Sequence, residues 1–502
     1  MSTELYNPLI PGFNPDPSVT KAGGDYYLVT STFEYLPGLP IYHSTDFVTW
    51  KQVGNVATRA EQLGISDVPA GGGVYAPTIR HHDDLFYLIV TVLGGRGCLL
   101  FTAIDPAGQW SDGIVVEGLD GIDPDLAWDD DGNAFVTYSA APLGAQQTHR
   151  GIQQVRVDLT GGRILDEPRT LWSGTGLKFP EAPHLYRRGE YWYLIIAEGG
   201  TERGHGVSVA RSCSPQGPFE PGPSNPFLSA RSTDRPIQNT GHGDLVELPD
   251  GSTGMVLLGM RPRGLTHGFS PLGRETFATR VSWVDAWPVA DPVTVNLRPE
   301  PIEYHDTFST ATLDDGWIAV RRRPAEVASL ADGALAITGD GTTPDDLRPC
   351  LIGRRQVSVA ATVSVEVDVT RGTGGCTVLF DQHHHYDLEA SAIPGGTRVV
   401  GRARVAGIRQ EWETILPAGP VVLLVETVPV TPRLDAGMAP DRVRLSAMPR
   451  DEPRSTVLVA DLDGRYLSAE VAFPFVGRVL GLYATSGTVT FRSYTYQGWD
   501  TP

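Results

Sequence analysis

Three carboxylates stand at matching points of a repeated phrase in this chain: Asp16 before Pro17, Asp123 before Pro124, and Glu181 beside Ala182-Pro183. Hydrolysis of a glycosidic bond needs two such groups, one protonated to meet the leaving oxygen and one ionised to activate water or attack directly. A third charge nearby helps them titrate apart by pushing one pKa upward. Proline on both sides of Asp16 (Pro15 and Pro17) restricts its backbone and fixes the direction of its side chain. Taken singly, each acid is equally well read as a turn opener. Three in register at the origin of a repeat point instead to a shared pocket. Two further copies carry Tyr75-Ala76 and His242-Gly243 at that point. A ring that stacks on the apolar face of a pyranose, beside acids that bond its hydroxyls, is a sugar-binding layout.

The elements that must bring these residues together recur through about the first 260 positions, at a period of roughly 45–60 residues. Each copy runs from a small or acidic residue, usually before Pro, through an apolar strand and a Gly/Asp turn into an aromatic strand. The origins are Asp16-Pro17, Ala76-Pro77, Asp123-Pro124, Ala182-Pro183 and Gly243-Asp244. Their second strands include Tyr26-Tyr27-Leu28, Phe86-Tyr87-Leu88 and Trp192-Tyr193-Leu194. Several short strands per unit at this period predict a β-propeller, whose blades aim one end at a common axis. Around Pro288–Pro301 the phrase stops in a Pro-rich extended stretch. Beyond it, alternating strands over 357–369, 376–380, 397–406, 421–428, 442–447, 455–460 and 489–496 predict a jelly-roll-type β-sandwich. The expected architecture is all-β: a propeller over 1–300 and a sandwich over 301–502.

Composition narrows the partners. A formal charge of −19 opposes binding to nucleic acid or an anionic membrane and suits a neutral or cationic ligand. The four cysteines (Cys98, Cys213, Cys350 and Cys376) match no metal spacing and read as reduced thiols. No secretory signal is visible at the N-terminus, so a cytoplasmic location is expected.

Nine motifs in order then carry a resemblance. They are Asn14-Pro15-Asp16-Pro17, Ser31-Thr32-Phe33-Glu34, Pro40-Ile41-Tyr42-His43-Ser44, Tyr75-Ala76-Pro77 and Gly121-Ile122-Asp123-Pro124. Pro180-Glu181-Ala182-Pro183-His184, Ala197-Glu198-Gly199-Gly200-Thr201, Thr240-Gly241-His242 and Leu272-Gly273-Arg274-Glu275-Thr276 complete the set. Together they resemble glycoside hydrolase family 43, in particular its β-xylosidases and α-L-arabinofuranosidases with an appended C-terminal β-sandwich. The resemblance implies a five-bladed propeller and hydrolysis with inversion. It implies that Asp16 is the general base, Glu181 the general acid, and Asp123 the group that orients the acid and raises its pKa. Phe33, Tyr75, Ala76, Thr201, His242 and Arg274 match positions around the terminal sugar. Many relatives have Trp where Tyr75 stands, a change in stacking area. No cofactor is required by this chemistry; a structural cation near His242, without a catalytic role, is compatible with it. Arg274 also has its own physical reading, as a guanidinium that bonds sugar hydroxyls and keeps Asp16 ionised.

The expected activity is exo-acting, inverting release of terminal D-xylose from short β-1,4-xylo-oligosaccharides, with α-L-arabinofuranoside hydrolysis as the alternative. A homo-oligomer is compatible with this reading. A non-catalytic carbohydrate-binding propeller is a further alternative, but it predicts at least one missing acid. Glu34, Glu198, Glu202, Asp244 and Glu275 lie off the repeat origin and read as supporting or ion-paired groups. The tract His383-His384-His385 cannot aim three successive strand residues one way, so it reads as an exposed loop or strand edge.

Overall fold

In a computed structural model, residues 4–140, 151–264, 268–431 and 439–500 are described. Five antiparallel sheets follow one another through the N-terminal part, with innermost strands at Ser18–Ala22, Gly73–His82, Ile122–Trp128, Glu181–Arg188 and Gln238–Glu247. Each pairs with the strand after its Gly/Asp turn, so each repeat is one blade of a five-bladed propeller. The ring is closed by the Pro-rich lead-in. Asn7 exchanges backbone hydrogen bonds with Asn296, and Leu9 donates to Thr276 O at 2.8 Å. The Asn7 side chain also bonds both polar backbone groups of Ala278.

The x-Pro phrase has a structural reason. Innermost strands are edges facing the axis, where the missing N–H of proline costs no ladder bond. In four blades the register shifts at this phrase: Val74/Pro77, Ile122/Asp125, Glu181/His184 and Gly241/Asp244. Such bulges bend a strand and re-aim a side chain. Asp16, Asp123, Ala182 and His242 all take a left-handed backbone, with φ between 49° and 56°. Two positions further on, Ser18, Asp125, His184 and Asp244 are buried around Arg80. Arg80 bonds all four, at 3.3, 2.7, 2.9 and 2.9 Å. One guanidinium thus ties the five blades together at the axis, its charge met by two carboxylates.

The C-terminal part is a β-sandwich on two long strands, Ala360–Asp381 and Val479–Trp499, paired through three register shifts. The first half of Ala360–Asp381 pairs with Val421–Pro429 and the second with His384–Ile393. The break expected between 369 and 376 is therefore absent, and the strands His384–Ile393 and Ile408–Leu416 were not anticipated. The histidine tract is corrected in part: His383 is exposed in a turn, as expected, but His384 and His385 open a strand. His384–Ile393 lies between two partners rather than at an edge, and His385 is 2% exposed. Its Nδ1 meets Asp387 at 2.9 Å and its Nε2 meets Asp345 at 3.4 Å. Burial alone would lower its pKa; the two carboxylates outweigh this and raise it to about 9.

The sandwich core continues into the propeller, taking in Phe13, Phe33, Tyr35 and Met260. Ala319 and Val320 pair with Leu36 and Tyr35 across the junction. At Gly71 (φ 69°) a Cβ would lie 1.9 Å from the Phe473 ring, so only glycine allows that close approach.

Candidate active site

At the axial end of the blades is a hollow of about 640 Å³. All nine residues singled out from the sequence line it: Asp16, Asp123 and Glu181, with Phe33, Tyr75, Ala76, Thr201, His242 and Arg274. Asp16, just before its strand, Asp123, near the start of its strand, and His242, at a bulge within Gln238–Glu247, all reach it from left-handed positions; Glu181 is the first residue of its strand.

Asp16 is buried and held on three sides. Arg274 grips it with two nitrogens, at 2.7 and 3.4 Å, and Ser31 Oγ donates to Oδ2 at 2.6 Å. His242 Nδ1 stands 3.7 Å away. Arg274 is itself aimed by Thr201 Oγ1 and the carbonyl of Phe475, both at 3.3 Å. The forked guanidinium gives Asp16 a charge-assisted, two-point contact. Asp123 accepts the backbone N–H of Ala182 at 3.1 Å, which fixes it beside Glu181. Burial, then the charge of Asp16, raises Asp123 to about 7. Among the described residues, no cation is paired with Glu181. Burial, then Asp123 and Asp16, push its pKa well above the usual carboxylate range, with Arg274 opposing. The acids therefore divide: Glu181 and Asp123 are both pushed toward the protonated form, while Asp16 sits against a permanent positive charge.

The walls suit a neutral, hydroxyl-rich guest. Burial lowers His242 to about 3, so its imidazole is neutral and can both donate and accept. Burial and the Asp123 charge raise Tyr75 to about 12, so it stays a phenol. Phe33 is 1% exposed, covered by Phe13, Tyr75 and Phe475 at ring distances of 6.1, 5.6 and 5.6 Å. It backs the wall more than it forms a platform. Among the described residues, no group of three or more His, Cys, Asp or Glu side chains is placed to hold a metal ion.

The other acids have separate partners. Glu198 accepts from Thr175 N and Oγ1 at 2.7 and 2.8 Å. Asp244 pairs with Arg80 and Glu275 with Arg261, while Glu34 accepts from Gly71 N at 3.0 Å. Glu202 pairs with Lys178 and also reaches the rim of the hollow.

Sequence reasoning did not name the residues that the sandwich contributes to the hollow. Phe475 closes one side, stacked on Phe33 and edge-on to Tyr75 at 5.9 Å, with the Arg274 guanidinium 5.0 Å from its ring centre. Glu470 reaches the same wall, anchored by Ser270 N and Oγ at 2.6 and 2.8 Å. The available signal was the apolar run Ala472-Phe473-Pro474-Phe475-Val476, which its proline keeps from being an ordinary central strand and which needs a surface to cover it.

Comparison with known proteins gives the same picture. The profile of glycosyl hydrolases family 43 matches residues 5–288, and that of the β-xylosidase C-terminal concanavalin A-like domain matches 305–497. A non-reducing end α-L-arabinofuranosidase from Bacteroides ovatus is 36% identical, spanning 95% of this chain and 91% of its own length. A xylan 1,3-β-xylosidase from a Vibrio species is 32% identical across 80% of this chain and 82% of its own. The crystal structure of a xylan β-1,4-xylosidase from Bacillus halodurans superposes with a TM-score of 0.88 at 28% identity, covering 98% of this chain and all of that one. A propeller that gathers three acids at its axis, matched over most of its length by these enzymes, makes this chain a member of glycoside hydrolase family 43.

Proposed function

We propose that this enzyme removes terminal D-xylose from the non-reducing end of short β-1,4-xylo-oligosaccharides, with inversion. The observation that carries the reading is the division among the acids. Asp16, clamped by Arg274, is the base that draws a proton from water. Glu181, whose proton is held by burial and neighbouring charge, is the acid that protonates the leaving oxygen. Asp123 orients Glu181 through the Ala182 N–H and sustains its pKa. The wall made by Phe475 supports exo action, since a chain end fits a hollow closed on one side. His242, Thr201 and Arg274 bond the hydroxyls of the terminal sugar.

The second reading is α-L-arabinofuranosidase, favoured by the relative from Bacteroides ovatus. The two sugars present similar hydroxyl patterns, and one pocket can accept both. Rates on the p-nitrophenyl β-D-xyloside and α-L-arabinofuranoside decide between them. The xyloside is expected to be the faster; arabinoside turnover far above it would overturn the first reading.

The charges also set a pH prediction. Activity requires protonated Glu181, so kcat/KM falls as pH rises through its raised pKa. Asp123→Asn removes the neighbouring charge that helps hold this proton. The alkaline limb is then expected to move about one unit toward lower pH. A limb that stays in place, or moves upward, would contradict the role given to Asp123.

A further inference from the structure

Phe179 packs lightly: the Lys178 ammonium lies 5.6 Å from its ring centre. It is 51% exposed, yet it lines the hollow two residues before Glu181. Its φ is 52°, in the left-handed region that bulky side chains rarely adopt. The surrounding chain holds it there. Lys178 O accepts from Gly199 N at 2.7 Å, and Pro180 O accepts from Ser139 Oγ at 2.9 Å. Gly200, at φ 72°, lets the ring lie close; a Cβ there would come within 3.1 Å of Phe179 Cδ2. A strained backbone that presents an aromatic ring to solvent beside a proton donor is a pattern found at ligand-binding positions.

We infer that Phe179 is the stacking platform for the sugar on the leaving-group side of the scissile bond, and so selects a neutral pyranose there. The inference rests on the role proposed for Glu181. The oxygen this acid protonates belongs to the leaving sugar, so that sugar lies against the segment carrying the acid. Phe179 is the aromatic side chain of that segment, and its ring offers an apolar face of the kind a pyranose covers. The charged pair Lys178–Glu202 and Arg203 flank it, leaving polar groups for the hydroxyls at the ring edge. This side of the hollow is distinct from the Phe33–Tyr75–Phe475 wall around the terminal sugar.

The test compares two substrates that both need the acid but differ in whether the leaving group has a ring: xylobiose and methyl β-D-xyloside. Phe179→Ala is expected to lower kcat/KM on xylobiose about tenfold more than on the methyl glycoside, the worth of roughly 50 Å² of apolar contact. Phe179→Tyr is expected to keep the original ratio. Equal losses on both substrates would mean that Phe179 only positions Glu181, and unchanged rates on both would mean that it does neither; either result overturns the inference. The same ratio is measured with an arabinofuranosyl-xylobiose and methyl α-L-arabinofuranoside. Turnover of the arabinosides alone would sink the xylosidase reading and leave Phe179 to be judged on that second ratio. Turnover of none of the four by the unsubstituted enzyme would sink both claims.

Discussion

Glu181→Gln is expected to lower kcat on xylobiose about 100- to 10,000-fold, and far less on dinitrophenyl β-D-xyloside. The difference follows from what the acid does. A sugar alkoxide is a poor leaving group and needs a proton as the bond breaks; a dinitrophenolate leaves without one. Glutamine keeps the size of the side chain but cannot release a proton. The alkaline limb of the pH profile, set in the native enzyme by the raised pKa of Glu181, is expected to vanish with it. Steady-state kinetics on both substrates check this. Equal losses on the two would mean that Glu181 is not the proton donor.

Asp16→Asn is expected to cost about as much, 100- to 10,000-fold in kcat, but equally on both substrates, because attack by water is needed whatever leaves. Asparagine can still take the hydrogen bond from Ser31 and face Arg274, both now made to Asp16. The loss therefore reports the missing base rather than a collapsed site. One cost is structural: Arg274 is buried, and its charge would lose a counter-charge, a penalty of order 3–5 kcal/mol when a buried pair is broken. A fall in melting temperature should accompany the kinetic loss. Full activity in this variant with the activated substrate would contradict the role of Asp16.

The propeller was legible because its defining feature is chemical. Proline beside an acid or a small residue is tolerated on an edge strand facing the axis, and it recurs in four of the five blades with little disguise. The same phrase placed Asp16, Asp123 and Glu181 in one hollow. What failed to show was long-range. Arg371-Gly-Thr-Gly-Gly375 reads as a turn, yet the strand continues through it with register shifts at Asp368/Arg371 and Thr373/Gly374. A Cβ on Gly374 would lie 2.2 Å from the carbonyl of Tyr483, and one on Gly375 would lie 2.0 Å from that of Leu388. These glycines serve close strand approach, not reversal. His384 and His385 hid a strand because their partners, Asp381, Asp387 and Asp345, include one some 40 residues away. Phe475 was missed for a similar reason. Strand periodicity within the sandwich carries no information about a loop that returns to the other half of the chain. Arg80 gave no motif at all, since its four partners come from four different blades.

In the proposed mechanism Asp16 and Glu181 act from opposite sides of the sugar, one on water and one on the leaving oxygen. Proton NMR of the xylose released from p-nitrophenyl β-D-xyloside, recorded before mutarotation, tests it most directly. The α-anomer should appear first and the β-anomer grow in later. If the β-anomer appears first, the enzyme retains configuration, one carboxylate is a nucleophile, and the roles assigned to these two residues are wrong.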